Sequence, residues 1–334
     1  MKILFAVQGT GNGHISRARD IIPILKKYGS LDIAVSGTQA DVSLDYPILY
    51  RFYGFSFIFG TKGGVDQWKT LKQSRLGQLW KDIRTAPVED YDLIINDFEP
   101  VIAWACKWKK IPCIGLSHQS AFLSPKTPRP HNSWNWAEWV LKYYAPIDHA
   151  YAFHFESYDD FIHTPVIREE VRALESKNEG HYTVYLPAYG DDQIFKILEK
   201  TKEVRWEVFS KHSHKPYIRD HVFFKPIENH AYNDSLSRSA GLLTGGGFEG
   251  PAEALFLGKK IFSIPMKGQW EQQCNSAALE KMGVPVSWKG EGDLPEKIRD
   301  WVLHAKPIQV NFPNLTESIL EELINNYRKS VSFT

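Results

Sequence analysis

The segment from Gly241 to Gly283, GLLTGGGFEGPAEALFLGKKIFSIPMKGQWEQQCNSAALEKMG, constrains the fold more than any other part of the chain. It places two strand-to-helix junctions end to end, and each is crowded with polar groups that a buried core does not need. The apolar run through Leu242 and Leu243 reads as a strand, after which Gly245, Gly246 and Gly247 turn the backbone into a helix from about Phe248 to Leu257. Pro251 falls in the first turn, where a missing N–H does no harm. Such a helix start is an anion site, because its first N–H groups are free and its dipole is positive there. Glycine leaves room for a phosphate, and Glu253 is close enough to accept hydrogen bonds from ligand hydroxyls such as those of a ribose. The next strand, Lys260 to Pro265, leads through Gly268 into a second helix opened by Gln269, Trp270, Glu271 and Gln272. Consecutive parallel strands lie side by side, so Gln269, Glu271 and Gln272 are expected to face the same crevice as the glycine loop.

The amino-terminal part opens with a similar unit. Lys2 to Val7 is a short apolar strand, Gln8 to His14 a glycine-rich turn, and Ile15 to Lys27 a helix. A dinucleotide-binding unit would look alike, but the sixth position of the turn is His14 rather than Gly, and the second strand, Leu31 to Val35, ends in Ser36 and Gly37 with no acid for an adenosine ribose. Residues 41–90 are less regular, with strand-like Ile48 to Phe52 and Phe55 to Phe57, a Gly63-Gly64 turn and a helix around Trp68 to Ile83. Tyr91 to Asn96 is a buried-type strand ending in Asp97, Phe98, Glu99 and Pro100. Parallel strand ends collect on one rim, so Asp97 and His14 can meet. A neutral imidazole takes a proton from an attacking hydroxyl while a carboxylate orients it, with Glu99 the rival base. The other reading makes His14 a helix cap or phosphate contact and Asp97 an N-cap. Ile111 to Leu116 brings Ser117, His118, Gln119 and Ser120 to the same rim; His118 and Gln119 are candidate acceptor contacts, and the two serines read equally well as caps. Between Lys126 and Tyr144, Trp134, Trp136, Trp139, Tyr143 and Tyr144 alternate with cations. Such a segment stacks on sugars or lies at a membrane surface, although packing of the tryptophans on the core is the commoner outcome.

On these residues the chain resembles the GT-B glycosyltransferases, especially the MurG-like N-acetylglucosaminyltransferases and the UDP-glycosyltransferases. Those families join a glycine turn, Glu-Ala-Leu-x-x-Gly-Lys, a strand ending in Pro, then an acidic residue followed by Gln and, three later, Asn-Ala. Here stand Glu253, Ala254, Leu255, Gly258, Lys259, Pro265, Glu271, Gln272 and Asn275, with Ser276 in place of the Ala. Gly250 stands where relatives usually have Thr or Ser, which removes a hydroxyl near the phosphates. The turn through Gly11, Gly13 and His14 is similar to the Gly-x-Gly-x-Gly-His segment of these families, and Ile95 to Glu99 loosely resembles the strand end that supplies the Asp of their base dyad.

The resemblance implies an α/β protein with two Rossmann-like doubly wound domains facing across a cleft. Residues 1–165 would form the acceptor-side domain, completed by a carboxyl-terminal helix over 315–334, and residues 166–314 the donor-binding domain. It implies that Gly11 and Gly13 face the donor diphosphate and that Tyr189 and Gly190 lie near the phosphates. Ile227 would hold the base through its backbone. The turn Gly245, Gly246, Gly247, Phe248 and Glu249 would take the diphosphate, Glu253 the ribose, and Gln269, Glu271 and Gln272 the donor sugar. The implied reaction is inverting, metal-independent transfer of a sugar from a nucleotide diphosphate, UDP being the expected nucleotide, to an acceptor hydroxyl. No cofactor is called for. A nucleotide-sugar 2-epimerase, or a catalytically silent nucleotide-sugar or glycan-binding module, would share the donor helix.

Composition narrows the partners. At 334 residues the chain can bury two cores, and 40 Lys and Arg against 39 Asp and Glu leave a formal charge of +1, so no overall field points to nucleic acid. Cys106, Cys113 and Cys274 lack metal-ligand or disulfide-framework spacing and read as reduced thiols of a cytoplasmic protein. The N-terminal MKILFAVQG runs into a strand rather than a cleavage site, and no apolar run reaches the roughly 18 residues of a membrane span. The expected location is the cytoplasm, with peripheral contact at the inner face of a membrane left open. Expected partners are the nucleotide-sugar donor and a glycan, lipid-linked or small-molecule acceptor. No metal site is expected: Asp90-Tyr91-Asp92 precedes its strand and so lies on the wrong rim, and His212, His214 and His221 lack a Cys or carboxylate to complete a zinc set. In the second half, His181 to Leu186, Arg205 to Phe209, His221 to Phe224 and Val284 to Trp288 are read as further strands, and Ile162 to Asn178 as the connection between domains.

Overall fold

A computed structural model of the chain describes residues 1–10, 12–37, 44–54, 76–130, 136–288 and 293–332. The first sheet contains β1 (Lys2–Gln8), β2 (Ser30–Ser36), β3 (Tyr50–Phe52), β4 (Leu93–Asp97), β5 (Ile114–Ser117), β6 (His149–Phe153) and β7 (Ile162–His163). Their order is β3-β2-β1-β4-β5-β6-β7, and every pair is parallel. Parallel strands covered on both faces are apolar throughout, and Ile3, Leu4, Phe5, Ala6 and Val7 of β1 are all fully buried. Among the described residues the α-helices of this half are α1 (Asn12–Leu25), α2 (Leu76–Thr85), α3 (Pro100–Lys109) and α4 (Trp136–Tyr144).

After the short α5 (Glu169–Arg172), the second sheet is built from β8 (His181–Tyr185), β9 (Arg205–Ser210), β10 (Tyr217–Arg219), β11 (Val222–Pro226), β12 (Gly241–Thr244) and β13 (Lys260–Ser263), in the order β10-β11-β9-β8-β12-β13. Its helices are α6 (Asp191–Leu198), α7 (Asn229–Arg238), α8 (Glu249–Phe256), α9 (Trp270–Lys281) and α10 (Leu294–His304), and α11 (Thr316–Ser332) closes the chain. In each sheet the winding reverses beside the first strand, between β1 and β4 and between β8 and β12. The carboxyl ends at those points are where open α/β sheets bind ligands. The fold is therefore α/β with two doubly wound sheets, as the sequence implies.

Two elements differ from expectation. Val284 to Trp288 contributes only a single bridge, Val286 to Ser263, because Pro285 has no N–H with which to extend a ladder. The sixth strand is instead β10, the one antiparallel member, paired with β11 at the sheet edge. Within the stretch read as a connection, Ile162 and His163 form β7. Phe55 to Phe57, the Gly63-Gly64 turn and the start of the helix expected from Trp68 lie outside the described residues. One buried cluster runs from β1 and α1 through Phe155 and Val166 to Phe248 and Leu255 of the second half, and it includes Leu320, Leu323 and Ile324 of α11. The last helix thus packs against α1, with Lys27 paired to Glu317 at 2.5 Å.

Candidate active site

The turn after β1 delivers His14 in the first turn of α1, and β4 ends in Asp97 beside it. His14 Nδ1 lies 2.8 Å from Asp97 Oδ1. Asp97 is fully buried; burial disfavours its charge, but Arg17 and then His14 outweigh this and hold its pKa below the ordinary carboxylate value. An ionised carboxylate only accepts, so Nδ1 carries a proton, and in the neutral ring Nε2 then presents a lone pair. That nitrogen faces the amide Nε2 of Gln119 at 3.3 Å, the kind of donor a neutral imidazole accepts from. Burial pulls the His14 pKa down, yet the Asp97 charge and hydrogen bond win and leave it above the ordinary value. Next to Asp97 in the chain, Phe98 adopts a left-handed backbone with φ of 55°, uncommon for a bulky residue and a mark of local strain at the strand end.

Arg17 completes this end of the site. Its Nη2 donates to both Asp97 oxygens at 2.7 and 2.8 Å, and its Nη1 to Glu249 at 2.5 Å. Sequence reasoning missed it, although a signal was there: positions 14, 17, 18, 21 and 25 share one face of α1, and Ala18, Ile21 and Leu25 on it are buried. A guanidinium on such a face demands a carboxylate partner.

The donor-side turn follows β12. Gly246 has a φ of +80°, and a Cβ there would meet Ser276 Oγ at 2.5 Å and the Gln272 carbonyl at 2.9 Å, so only glycine fits. Asn275 Nδ2 donates to the Gly246 carbonyl at 3.2 Å. Glu249 opens α8, and its carboxylate lies so close to Gly13 that a Cβ at position 13 would run into it. One turn further on, Glu253 takes the fork of Arg168, Nε to Oε1 at 2.5 Å and Nη2 to Oε2 at 2.9 Å. Arg168 also donates to Asn229 and Asn233 at 3.0 and 3.1 Å. Glu253 is buried, and the burial raises its pKa even against the pull of Arg168.

Both sheet ends open on one cleft of about 750 Å³. Of the sequence-expected residues it is lined by Gly13, His14, Gln119, Gly190, Ile227, Gly245, Gly247, Phe248, Glu249, Glu253, Gln269, Glu271 and Gln272. Asp97 stands behind His14, Gly246 forms the turn beneath the lining, and Gly11 lies outside the described residues. Gln269 is the N-cap of α9, accepting from Gln272 N at 2.5 Å, while Gln119 donates to Glu271 at 3.1 Å. Lys211 and His212, which the sequence did not single out for the donor, also line the cleft.

Three expected residues are placed elsewhere. Glu99 caps α3, accepting from Val101 N and Ile102 N at 2.7 Å and from Ser36 Oγ, and burial pushes its pKa up to about 7. The cap needs both its oxygens, so Glu99 does not reach the cleft as a base. His118 is buried between the two halves, stacked on Phe248 with ring centroids 3.8 Å apart and 2.8 Å from Asn275 Oδ1 through Nε2. It is enclosed against the second sheet's elements rather than turned to an acceptor. Tyr189 packs beside the core of the second sheet rather than lining the cleft. Trp139 and Tyr143 of α4 are exposed rather than packed on the core, whereas Tyr144 is buried. Among the described residues no group of three His, Cys, Asp or Glu could hold a metal ion.

Two doubly wound sheets whose carboxyl ends share a single cleft define the GT-B class of fold. The model of the family described as Glycosyl transferase family 1 matches residues 1–305; the chain belongs to that family and is a glycosyltransferase. The same fold is found in a Polygonum tinctorium UDP-glucosyltransferase capable of glucosylating indoxyl, at 13% identity and a TM-score of 0.60 over 98% of each chain. It is also found in a Phytolacca americana enzyme complexed with UDP-2-fluoro-glucose and pterostilbene, at 13% identity and a TM-score of 0.56 over 98% of this chain and 94% of that one. The glycosyltransferase of kitacinnamycin is similar at 13% identity and a TM-score of 0.59, over 98% and 95% of the two chains. No curated protein compared with the chain matches it.

Proposed function

We propose that this glycosyltransferase moves a sugar from UDP to an acceptor hydroxyl with inversion and without a metal ion. The observation that carries this reading is His14, with Nδ1 on a buried carboxylate and Nε2 beside Gln119 in a cleft that Gly245, Gly247, Phe248 and Glu249 also line. The acceptor hydroxyl gives its proton to His14 Nε2 as its oxygen bonds to the anomeric carbon from the face opposite the nucleotide. The bond from that carbon to the diphosphate breaks, and UDP leaves with its charge against the free N–H groups at the start of α8. Glu253, already oriented by Arg168, has lone pairs left for the ribose hydroxyls, and Glu271 and Gln272 face the sugar.

Residues 1–165 with the last helix form the acceptor side in this reading, and residues 166–314 the donor side. Gln119 occupies the place an acceptor hydroxyl takes beside His14. No helix among the described residues is long and apolar enough to cross a membrane. Exposed Trp139 of α4 and, separately, the edge-to-face pair Trp80 and Trp108, with Lys81, Arg84 and Lys107 near the pair in sequence, are the apolar surfaces by which a lipid-linked acceptor would be met. Sedimentation with anionic vesicles, expected to carry the protein down, tests that contact.

Thermal unfolding across nucleotides and their sugars tests the donor, since a ligand of the native state raises the melting temperature. UDP and one UDP-sugar are expected to stabilise, and a panel without effect would end the proposal. Incubation with the UDP-sugar alone is expected to give at most slow hydrolysis; a 2-epimer of the donor would identify an epimerase instead.

A further inference from the structure

Arg17 is used by none of the steps above, yet it touches both halves of the site. We propose that Arg17 is a positioning residue that holds Asp97 in line with His14 and joins this pair to the donor helix through Glu249. The proposal rests on His14 being the base, and it adds how that base is kept oriented while the rise in its proton affinity is limited.

The geometry is specific. Nη2 bridges the two Asp97 oxygens at 2.7 and 2.8 Å and lies 3.3 Å from His14 Nδ1. A carboxylate held on both oxygens cannot rotate away from the imidazole. Its charge is also shared, which matters because a buried Asp serving His14 alone would favour the imidazolium, and an imidazolium is not a base. A cation beside Nδ1 works against that proton. The other end of the guanidinium, Nη1, holds Glu249 at 2.5 Å, the first residue of α8. Arg17 thus has its second counter-charge only while the donor helix is seated against α1, where Gly13 permits the approach.

The charged groups facing His14 come from four elements: Arg17 from α1, Asp97 from β4, Glu249 from α8, and, beyond Gln119, Glu271 from α9. Arg17 and Glu249 act on the imidazole with opposite signs. Loss of the cation 3.3 Å from Nδ1 and loss of the Glu249 carboxylate therefore move the His14 titration in opposite directions.

The experiment is an NMR titration of the His14 ring in the full chain, assigned by its loss in His14→Gln, for the wild type and for Arg17→Gln, Arg17→Lys and Glu249→Gln. Arg17→Gln is expected to raise the His14 pKa by about one unit, a tenfold rise in proton affinity. Arg17→Lys keeps the charge and is expected to stay within a fraction of that shift, and Glu249→Gln is expected to lower the pKa. Should Arg17→Gln fail to fold, the downward shift in Glu249→Gln with an unshifted Arg17→Lys supports the proposal. An unchanged or rising His14 pKa in Glu249→Gln, or an unchanged one in folded Arg17→Gln, overturns it. These readouts need no acceptor, so they stand apart from the proposed reaction, whose own failure would be undiminished UDP-sugar turnover in His14→Gln.

Discussion

Glu249 and Glu253 sit one turn apart on α8, and each is held by an arginine from outside the helix, but the two pairs serve different ends. Glu253 is 2% exposed, gives both oxygens to Arg168, and its partner is fixed again by Asn229 and Asn233. Glu249 is a quarter exposed and meets Arg17 through one bond that spans the two halves. A fully engaged buried pair is a frame, costly to break because the surviving charge is left without a partner. A partly exposed single contact contributes little to stability and is free to report on its surroundings. In the proposed reaction, one helix therefore carries a fixed wall for the nucleotide and an adjustable link to the base.

The largest expected effect is on the reaction. His14→Ala removes the proposed base and is expected to slow transfer by about 10²- to 10⁴-fold with donor binding retained, as steady-state rates beside UDP-sugar affinity will show. Equal rates would place the base elsewhere and leave Arg17 without an object. Next comes the frame: Arg168→Met strands Glu253 and is expected to cost about 3–5 kcal/mol in denaturant unfolding. Glu249→Gln, at the other pair, is expected to cost no more than about 1 kcal/mol. Equal losses for the two would erase the distinction between frame and link.

pH sharpens the same contrast. In the proposed reaction transfer requires neutral His14, so kcat/KM is expected to rise with pH through a midpoint above the ordinary histidine value of about 6.5. The folded imidazole binds its proton more tightly than the unfolded one. Its contribution to stability is accordingly complete below pH about 6.5 and fades as the pH climbs through the folded value. The smallest effect belongs to Glu99→Gln, which is expected to weaken the α3 cap by about 1 kcal/mol while leaving transfer near the wild-type rate.

Much of this was open to reading in the sequence because parallel strands impose a common rim. His14 and Asp97 meet although they are distant in the chain, since β1 and β4 are neighbours and both end at the switch point. The glycine turn before α8 was equally readable, its residues having few other uses. What escaped depends on how the halves face each other. His118 looked like an acceptor contact because it follows β5, but Phe248 and Asn275 cover it from the second sheet. Arg168 lay in a stretch read as connection, and nothing local marks it as the partner of Glu253. Val284 to Trp288 failed as a strand for a local reason that could have been weighed, the missing N–H of Pro285.

The central claim, direct attack on the anomeric carbon by a hydroxyl that His14 deprotonates, is tested most directly by the anomeric configuration of the first product. Proton NMR of the sugar newly transferred from an α-linked UDP-sugar, followed before any reverse reaction, is expected to show the β anomer. An α product would mean retention, and with it a different role for His14 and Asp97.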